Sequence, residues 1–274
     1  MLQSPLFEPL YPVLADLAAE GFPVLQDCNA LLAARQNPIV VQRGLPLRFV
    51  QQECGRLPFE AQYEPRCYLN GEVPTREHNW HDLLNALVWL TFPATKAVIN
   101  ARHYHALLEA KSAKSPPDGA SSRSQRGTVR DVNTLFDESG VVVLCADPEL
   151  AQFLHDFRWK ELFWQRRERV RAAMGFYIFG HGLYEKALHP YVGMTGQGLV
   201  LAVEPEFFAW PLMQRLAHVD GLLANHLAEP QHCRNTRDLS PVPLLGVPGW
   251  AVENECAEYY DNTTYFRSGR RKLG

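Results

Sequence analysis

The sequence predicts a mixed α/β fold in which an N-terminal helical hairpin packs on a partly parallel sheet with flanking helices. Two observations lead to this class. Residues 78–111 read as two helices that meet at Pro93, because proline suits the first turn of a helix but not its interior. After residue 140, short apolar runs of strand length alternate with helical periodicity, which is typical of βαβ units. An α+β arrangement is the alternative.

The individual elements follow from periodicity and from residues that start or stop a helix. Asp147 and Pro148 suit the N-cap and first position of a helix. Asp-Glu-Ser-Gly at 137–140 favours a turn between two short strands. The expected helices are 5–35, interrupted by prolines, 78–92, 93–111, 148–157, 183–189 and 205–228. The expected strands are 46–51, 134–136, 141–145, 176–179, 199–203 and 242–247, and residues 250–274 are expected to wrap over the surface.

Composition and charge restrict the class of protein. The chain has 274 residues, 46% hydrophobic and 21% charged, which is ordinary for a globular protein. A net charge of −3 argues against a protein that coats nucleic acid with its whole surface. We expect a single domain spanning residues 1–274. Within it, the segment 112–128 is rich in Ser, Pro and Gly and is expected to be a flexible surface insertion.

Cysteine spacing and hydropathy indicate the compartment. None of the six cysteines forms a CxxC pair, so a zinc ribbon or a redox motif is not expected. The N-terminal segment lacks a basic start and has Glu8 and Asp16, unlike a signal peptide. No apolar run reaches the length of a membrane span. We therefore expect a cytoplasmic protein with no membrane partner.

Four segments together resemble a known family. They are NWHDLLNALVWLTFP (79–93) with NARH (100–103), TLFDESGVVVL (134–144) with WKELFW (159–164), FGHGLYEKAL (179–188), and LLGVPGW (244–250). This set is similar to an uncharacterised bacterial family catalogued as domain of unknown function three-zero-two-five. The resemblance spans nearly the whole chain and departs from the family mainly in the basic segment 112–128. It implies one cytosolic domain and carries no activity.

Polar side chains form one stripe on each helix of the predicted hairpin. On the first helix they are His78, His81, Asp82 and Asn85, at i, i+3, i+4 and i+7. On the second helix they are Lys96, Asn100 and His103, at i, i+4 and i+7. Because buried polar groups need partners, we expect the two stripes to face one another.

These stripes have three interpretations. In the first, His78, His81 and Asp82 hold a divalent metal that activates water, although HxxHD departs from the HExxH spacing of zinc proteases. In the second, His81 paired with Asp82 or another acid is a general base, and an anionic ligand is bound by Lys96, Asn85, Asn100 and His103. In the third, the polar groups form a helix–helix seam and bind nothing.

A second candidate residue is His181, which lies between two glycines where an apolar strand is expected to enter a helix. Glycine permits close backbone approach, and ligands bind at the carboxyl ends of strands in open α/β sheets. Glu185 follows one turn later and is expected to orient the imidazole. The alternative is that the glycines serve packing and His181 caps the helix. Asp137 and Glu138 are a further metal-binding pair to consider, but their sequence favours a turn.

The sequence favours a cytosolic enzyme that acts on a small anionic substrate by acid–base or metal-assisted hydrolysis. The catalytic residues would be His81, Asp82, His181 and Glu185, and a divalent metal is the cofactor considered. One alternative is an RNA- or protein-binding module that uses the basic segment 158–171 and the basic C-terminal tail. A scaffold without chemistry is the other. The sequence predicts neither the substrate nor the reaction.

Overall fold

The computed structural model describes residues 4–17, 21–112 and 121–269 and has a mixed α/β architecture. The α-helices are α1 (Tyr11–Ala15), α2 (Leu25–Ala33), α3 (Tyr63–Asn70), α4 (Trp80–Thr91), α5 (Pro93–Ser112), α6 (Ser121–Ser139), α7 (Pro148–His155), α8 (Arg167–Ala173), α9 (His181–Ala187) and α10 (Leu212–Ala228). The strands are β1 (Arg48–Gln51), β2 (Glu72–Thr75), β3 (Gly140–Cys145), β4 (Met174–Ile178), β5 (Thr195–Ala202) and β6 (Ser240–Pro243).

The main sheet has four strands in the order β4-β3-β5-β6. Strand β3 pairs parallel to β5 and antiparallel to β4, and β6 pairs antiparallel to β5. This confirms a partly parallel sheet. The central strand β3 has the sequence GVVVLC and is buried along its whole length, as expected for a β-branched run between two neighbours. Strands β1 and β2 form a separate parallel pair.

The predicted hairpin is confirmed as α4 and α5, which are joined by Phe92 alone. The Asn79 side chain caps α4 by accepting a hydrogen bond from the backbone N–H of Asp82 at 3.0 Å. The first turn of α5 is capped from another helix, because Asp220 of α10 accepts the backbone N–H groups of Ala94 and Thr95. The hairpin packs against α6, α9 and α10, and α6 and α10 contact the main sheet.

Helix α6 corrects the prediction for residues 112–140. A strand at 134–136 and a turn at 137–140 were expected, but the backbone is helical from Ser121 to Ser139 and then enters β3 directly. Val132 and Phe136, one turn apart, are both buried, so helical packing overrides the local turn composition. Helix α5 continues to Ser112. The expected insertion at 112–128 is therefore helical at both its ends, and its middle part, 113–120, lies outside the described residues.

Up to residue 269, the described part of the segment after β6 forms only short 3₁₀ turns. Tyr260, Tyr265 and Phe266 from this segment are buried in the core, so residues 250–269 pack as part of the domain. Within the described ranges, none of the helices combines the length and the apolar character needed to cross a bilayer.

Candidate metal centre

The ends of three helices border one small cavity of about 280 Å³. The first turn of α4 supplies His81, the last turn of α6 supplies Asp137 and Glu138, and the start of α9 supplies His181. All four side chains line this cavity. The structure thus brings together the two histidines that the sequence singled out on separate segments.

His81, His181 and Glu138 converge on one point. The Nε2 atoms of the two histidines lie 3.1 Å apart. Glu138 Oε1 lies 3.6 Å from His181 Nε2 and 3.9 Å from His81 Nε2. Within the described part of the chain, this is the group of three potential ligands whose donor atoms all fall within 4.8 Å of one another. A point at the centre of this triangle is about 2.1 Å from each atom, the bond length of divalent zinc to nitrogen or oxygen.

Glu185 orients the His81 ring. Its Oε2 lies 3.0 Å from His81 Nδ1, one turn beyond His181 on α9. A carboxylate at this distance keeps the proton on Nδ1 and leaves the Nε2 lone pair directed into the triangle. The sequence predicted Glu185 as the partner of His181, whereas the structure places it against His81.

His181 is held by close packing of the β4–α9 turn on the end of α6. A side chain at position 180 would overlap the backbone of Glu138 and Ser139. A side chain at position 182 would overlap Glu138 Oε2, so Gly182 makes the space for this carboxylate. The two glycines around His181 therefore permit close approach to α6. Burial lowers the pKa of His181 to about 4, which keeps the imidazole neutral, as a metal ligand must be.

A buried ion pair lies directly behind the triangle. Lys96 Nζ, which is only 3% exposed, donates to Asp137 Oδ1 at 2.6 Å and to Asn85 Oδ1 at 2.8 Å. Burial opposes the ionisation of Asp137, but Lys96 and His181 together hold its pKa below the usual value. Asp137 Oδ2 lies 3.7 Å from His181 Nδ1. The two predicted stripes do meet, through Asn85 and Lys96, and Lys96 links them to Asp137 beside His181.

A second polar group, from α3 and α5, adjoins the cavity. Asn85 Nδ2 donates to the Tyr63 hydroxyl at 2.7 Å, and Asn100 Nδ2 donates to Glu64. Burial raises the pKa of Glu64 to about 7, and the charge of Asp137 adds to the effect. Burial lowers the pKa of His103 to about 4. Asn100 and His103 thus lie near the site but outside the triangle.

Two of the residues proposed for metal binding have other roles. Asp82 accepts three hydrogen bonds from Arg76: one from its backbone N–H at 2.7 Å and two from its guanidinium at 2.8 and 2.9 Å. Its carboxylate is therefore used to fix the chain before α4. His78 precedes α4, has a positive φ of 54°, and packs near Phe22 at a ring separation of 5.7 Å. Neither residue belongs to the triangle.

Sequence reasoning placed Glu138 in a turn, although it is the third member of the triangle. The signal that identifies it is helical spacing. Arg130, Thr134, Asp137 and Glu138 follow at i, i+4, i+7 and i+8 on α6, and all four line the cavity. Tyr63 and Glu64 of α3 also line it and carried no recognisable pattern.

The basic segment 158–171 is largely neutralised within the fold. Its ion pairs are Arg158–Glu161, Lys160–Asp261, Arg167–Glu255, Arg169–Asp147 and Arg171–Glu168. Trp159 and Phe163 are buried and cannot stack on a nucleic-acid base. The nucleic-acid hypothesis stays a prediction, although most of the positive charges of segment 158–171 are paired within the fold. Of its basic tail (267–272), residues 270–272 lie outside the described residues.

Comparison with known proteins identifies the family of this chain. A family model described as "Protein of unknown function (DUF3025)" matches residues 47–270, which include all the residues of the triangle and its support. No curated protein and no solved structure shows a significant match. The chain therefore belongs to the DUF3025 family.

Proposed function

We propose that this protein is a metal-dependent hydrolase whose zinc-type centre is formed by His81, His181 and Glu138. The observation that carries the proposal is the convergence of three electron-pair donors on one point, with the two Nε2 atoms 3.1 Å apart. Such a convergence is unfavourable unless a cation or a proton lies between the donors.

The surroundings of the two imidazoles support a cation. The carboxylate of Glu185 favours the proton on Nδ1 of His81. A cation bound at Nε2 of His181 would leave the proton of that ring on Nδ1, which lies 3.7 Å from Asp137 Oδ2. Both Nε2 atoms then present lone pairs to each other and to Glu138. A proton would satisfy two of the donors, whereas a divalent ion satisfies all three.

The spacing of the donors favours an ion of low coordination number over an octahedral one. With bonds of about 2.1 Å, neighbouring ligand atoms lie about 3.4 Å apart in a tetrahedral site and about 3.0 Å apart on an octahedral face. The distances between the three donors are 3.1, 3.6 and 3.9 Å. Their mean exceeds the octahedral value and suits zinc, which catalytic sites hold with three protein ligands.

A zinc ion held by His81, His181 and Glu138 would supply the chemistry of the site. Zinc-bound water has a pKa of about 7 and supplies hydroxide as a nucleophile near neutral pH. The side chains of His81 and Glu138 are 32% and 42% exposed, so water and a small substrate can reach the triangle. The His181 side chain is only 7% exposed and lies on the buried side of the triangle. The arrangement fits hydrolysis of a small anionic substrate that occupies the adjoining cavity.

Metal content is the direct test. Protein refolded or expressed with added zinc, then desalted, should retain one equivalent of zinc by mass spectrometry. His181→Ala should lose at least about a hundredfold in zinc affinity, because removal of a ligand exceeds the roughly tenfold to hundredfold effect of removing an outer partner. Zinc-loaded protein should then hydrolyse members of a panel of small anionic amides and esters, and His181→Ala should not.

A matched control separates the site from ordinary zinc binding by surface histidines. His189 is exposed and lies just after α9, so His189→Ala should bind zinc like the wild type. Equal zinc affinities in all three proteins, or no zinc retained by the wild type, would overturn the proposed metal centre. If the protein retains zinc but hydrolyses no member of the panel, the proposed metal centre stands and the proposed hydrolase activity is wrong.

A further inference from the structure

The cavity beside the metal triangle contains a cation whose charge is not used within the fold. Arg76 and Arg130 both line the cavity. Arg76 is held by both carboxylate oxygens of Asp82. Arg130 is exposed and forms no ion pair with any residue that the structure describes. Of these two guanidinium groups, only that of Arg130 is left to bind a ligand.

The position of Arg130 on α6 relates it to the metal triangle. Arg130 and Glu138 are eight residues apart on the same face of the helix, and Thr134 and Asp137 lie between them on that face. Eight residues of α-helix span about 12 Å. The cavity between the two ends is about 280 Å³, at the small end of the roughly 300–1,000 Å³ typical of ligand pockets.

The acidic neighbours leave the charge of Arg130 available. Glu64 also lines the cavity, close enough for the charge of Arg130 to act on it. Burial nevertheless raises the pKa of Glu64 to about 7, so this carboxyl is largely protonated at slightly acidic pH. Asp137 is already paired with Lys96. Arginine presents a planar fork of donors that matches a carboxylate or a phosphate in bidentate geometry.

We propose that Arg130 is the specificity-determining residue of this site and binds the oxyanion at one end of a short linear substrate, whose hydrolysable amide or ester reaches the metal triangle. This inference rests on the proposed function for the reacting end of the substrate. The oxyanion is a carboxylate or a phosphate, since both fit the same guanidinium. The cavity volume excludes polymers from the space between the two ends.

Dicarboxylates test this arrangement without knowledge of the substrate. One carboxylate takes the open zinc position and the other pairs with Arg130. Glutarate, adipate and pimelate are titrated into zinc-loaded protein by calorimetry, beside monocarboxylates of the same chain length. The best dicarboxylate should bind at least tenfold more tightly than its monocarboxylate partner. Analogues with one terminal phosphonate then tell a phosphate site from a carboxylate site.

Arg130→Gln should reduce the advantage of the dicarboxylate to less than twofold while zinc content stays at the wild-type level. Arg166 is the matched control, because it is exposed and forms no ion pair with the described residues, and Arg166→Gln should keep the full advantage. The role of Arg130 would be wrong if Arg130→Gln still bound the dicarboxylate more tightly than the monocarboxylate, or if the wild type showed no such preference.

A second titration separates this inference from the metal centre. In metal-free protein, monocarboxylates should bind weakly to the wild type and at least fivefold more weakly to Arg130→Gln. A loss of monocarboxylate affinity in metal-free Arg130→Gln, but not in the metal-free wild type, would support the anion site even if zinc were not retained. Equal binding by both metal-free proteins would overturn it whether or not zinc binds.

Discussion

The Nε2 atoms of His81 and His181 lie 3.1 Å apart, although the two residues are separated by 100 positions in the chain. Their rings meet edge to face, with centroids 4.5 Å apart and planes at 73°. Each ring has a carboxylate near its Nδ1 atom, Glu185 for His81 and Asp137 for His181. This pairing of imidazole with carboxylate recurs around metal ligands and leads to the predictions below.

Glu185→Gln should weaken zinc binding without unfolding the protein. The Glu185 side chain is 47% exposed and contributes little to the core, but it fixes the tautomer and orientation of His81. We expect a tenfold to hundredfold loss of zinc affinity, as is usual for an outer carboxylate partner. Competition with a chromogenic chelator measures it. Glu206→Gln, an exposed glutamate on another element, should change the affinity by less than twofold, and an equal loss there would contradict the assignment.

Gly182→Ala should damage the same centre by steric overlap. The added Cβ would collide with Glu138 Oε2, so Glu138 must leave its position or α9 must shift. We expect at least a tenfold loss of zinc affinity, whereas stability should change by less than about 1 kcal/mol, because the exposed end of Glu138 can move aside. Urea unfolding and chelator competition measure the two effects.

Gly221→Ala is the control for this substitution. Gly221 lies inside α10, and no atom lies within 4 Å of the position of its Cβ. Alanine there should raise the free energy of unfolding by about 0.5–1 kcal/mol through helix propensity and leave zinc affinity unchanged. A loss of zinc affinity in this variant would show that the assay reports stability and not the site.

Glu64→Gln should change the pH dependence of stability. Burial raises the pKa of Glu64 to about 7 from the model-compound value of 4.5. Between these values the folded state binds more protons than the unfolded state, so this group makes stability fall as pH rises. The full penalty, at most about 3 kcal/mol, is present above pH 7. Glu64→Gln should therefore gain stability relative to the wild type between pH 5 and pH 8.

The comparison of the wild type with Glu64→Gln also cancels the contribution of His103, whose effect on stability changes with pH in the opposite direction. Burial lowers the pKa of His103 to about 4, so this histidine makes stability rise with pH up to the unfolded value of about 6.5. Because His103 is present in both proteins, the difference between their urea unfolding curves isolates Glu64. A difference that stays constant across this pH range would contradict the raised pKa.

Asp220→Ala should destabilise the fold without changing any residue of the proposed metal centre. Its carboxylate accepts the backbone N–H groups of Ala94 and Thr95 at 2.9 and 2.8 Å, and both would lose their partner in a buried place. We expect a loss of about 2–4 kcal/mol by urea unfolding. Asp238 accepts backbone N–H groups in an exposed turn, and Asp238→Ala should cost less than about 1 kcal/mol. Equal costs would contradict the importance of burial.

The hairpin and the sheet strands could be predicted because their signals are local. Pro93 starts α5, Asn79 and Asp147 cap the helices that follow them, and the apolar run at 140–145 forms the central strand. Helix α6 could not be predicted in the same way. Its last residues have turn composition, and the helix persists because Val132 and Phe136 pack in the core and Lys96 binds Asp137.

The candidate site could be predicted only where its residues stand out in a local sequence pattern. His81 and His181 stood out because one lies on a polar stripe and the other lies between glycines. Their contact depends on the packing of α9 against α4 and α6, which no local pattern reveals. Glu138 was assigned to a turn, and Asp82 was assigned to the site although Arg76 neutralises it. Contacts with residues distant in the sequence determine the positions and partners of both Glu138 and Asp82.

The three members of the triangle come from α4, α6 and α9, which are far apart in the chain. An ion held by all three would close two long loops of the polypeptide and so act as a reversible crosslink. The entropy of the unfolded chain decreases when such loops are closed, and any ligand that binds only the folded state shifts the equilibrium towards it. Zinc would then raise the free energy of unfolding of the whole domain, by an amount that depends on the zinc concentration relative to the dissociation constant.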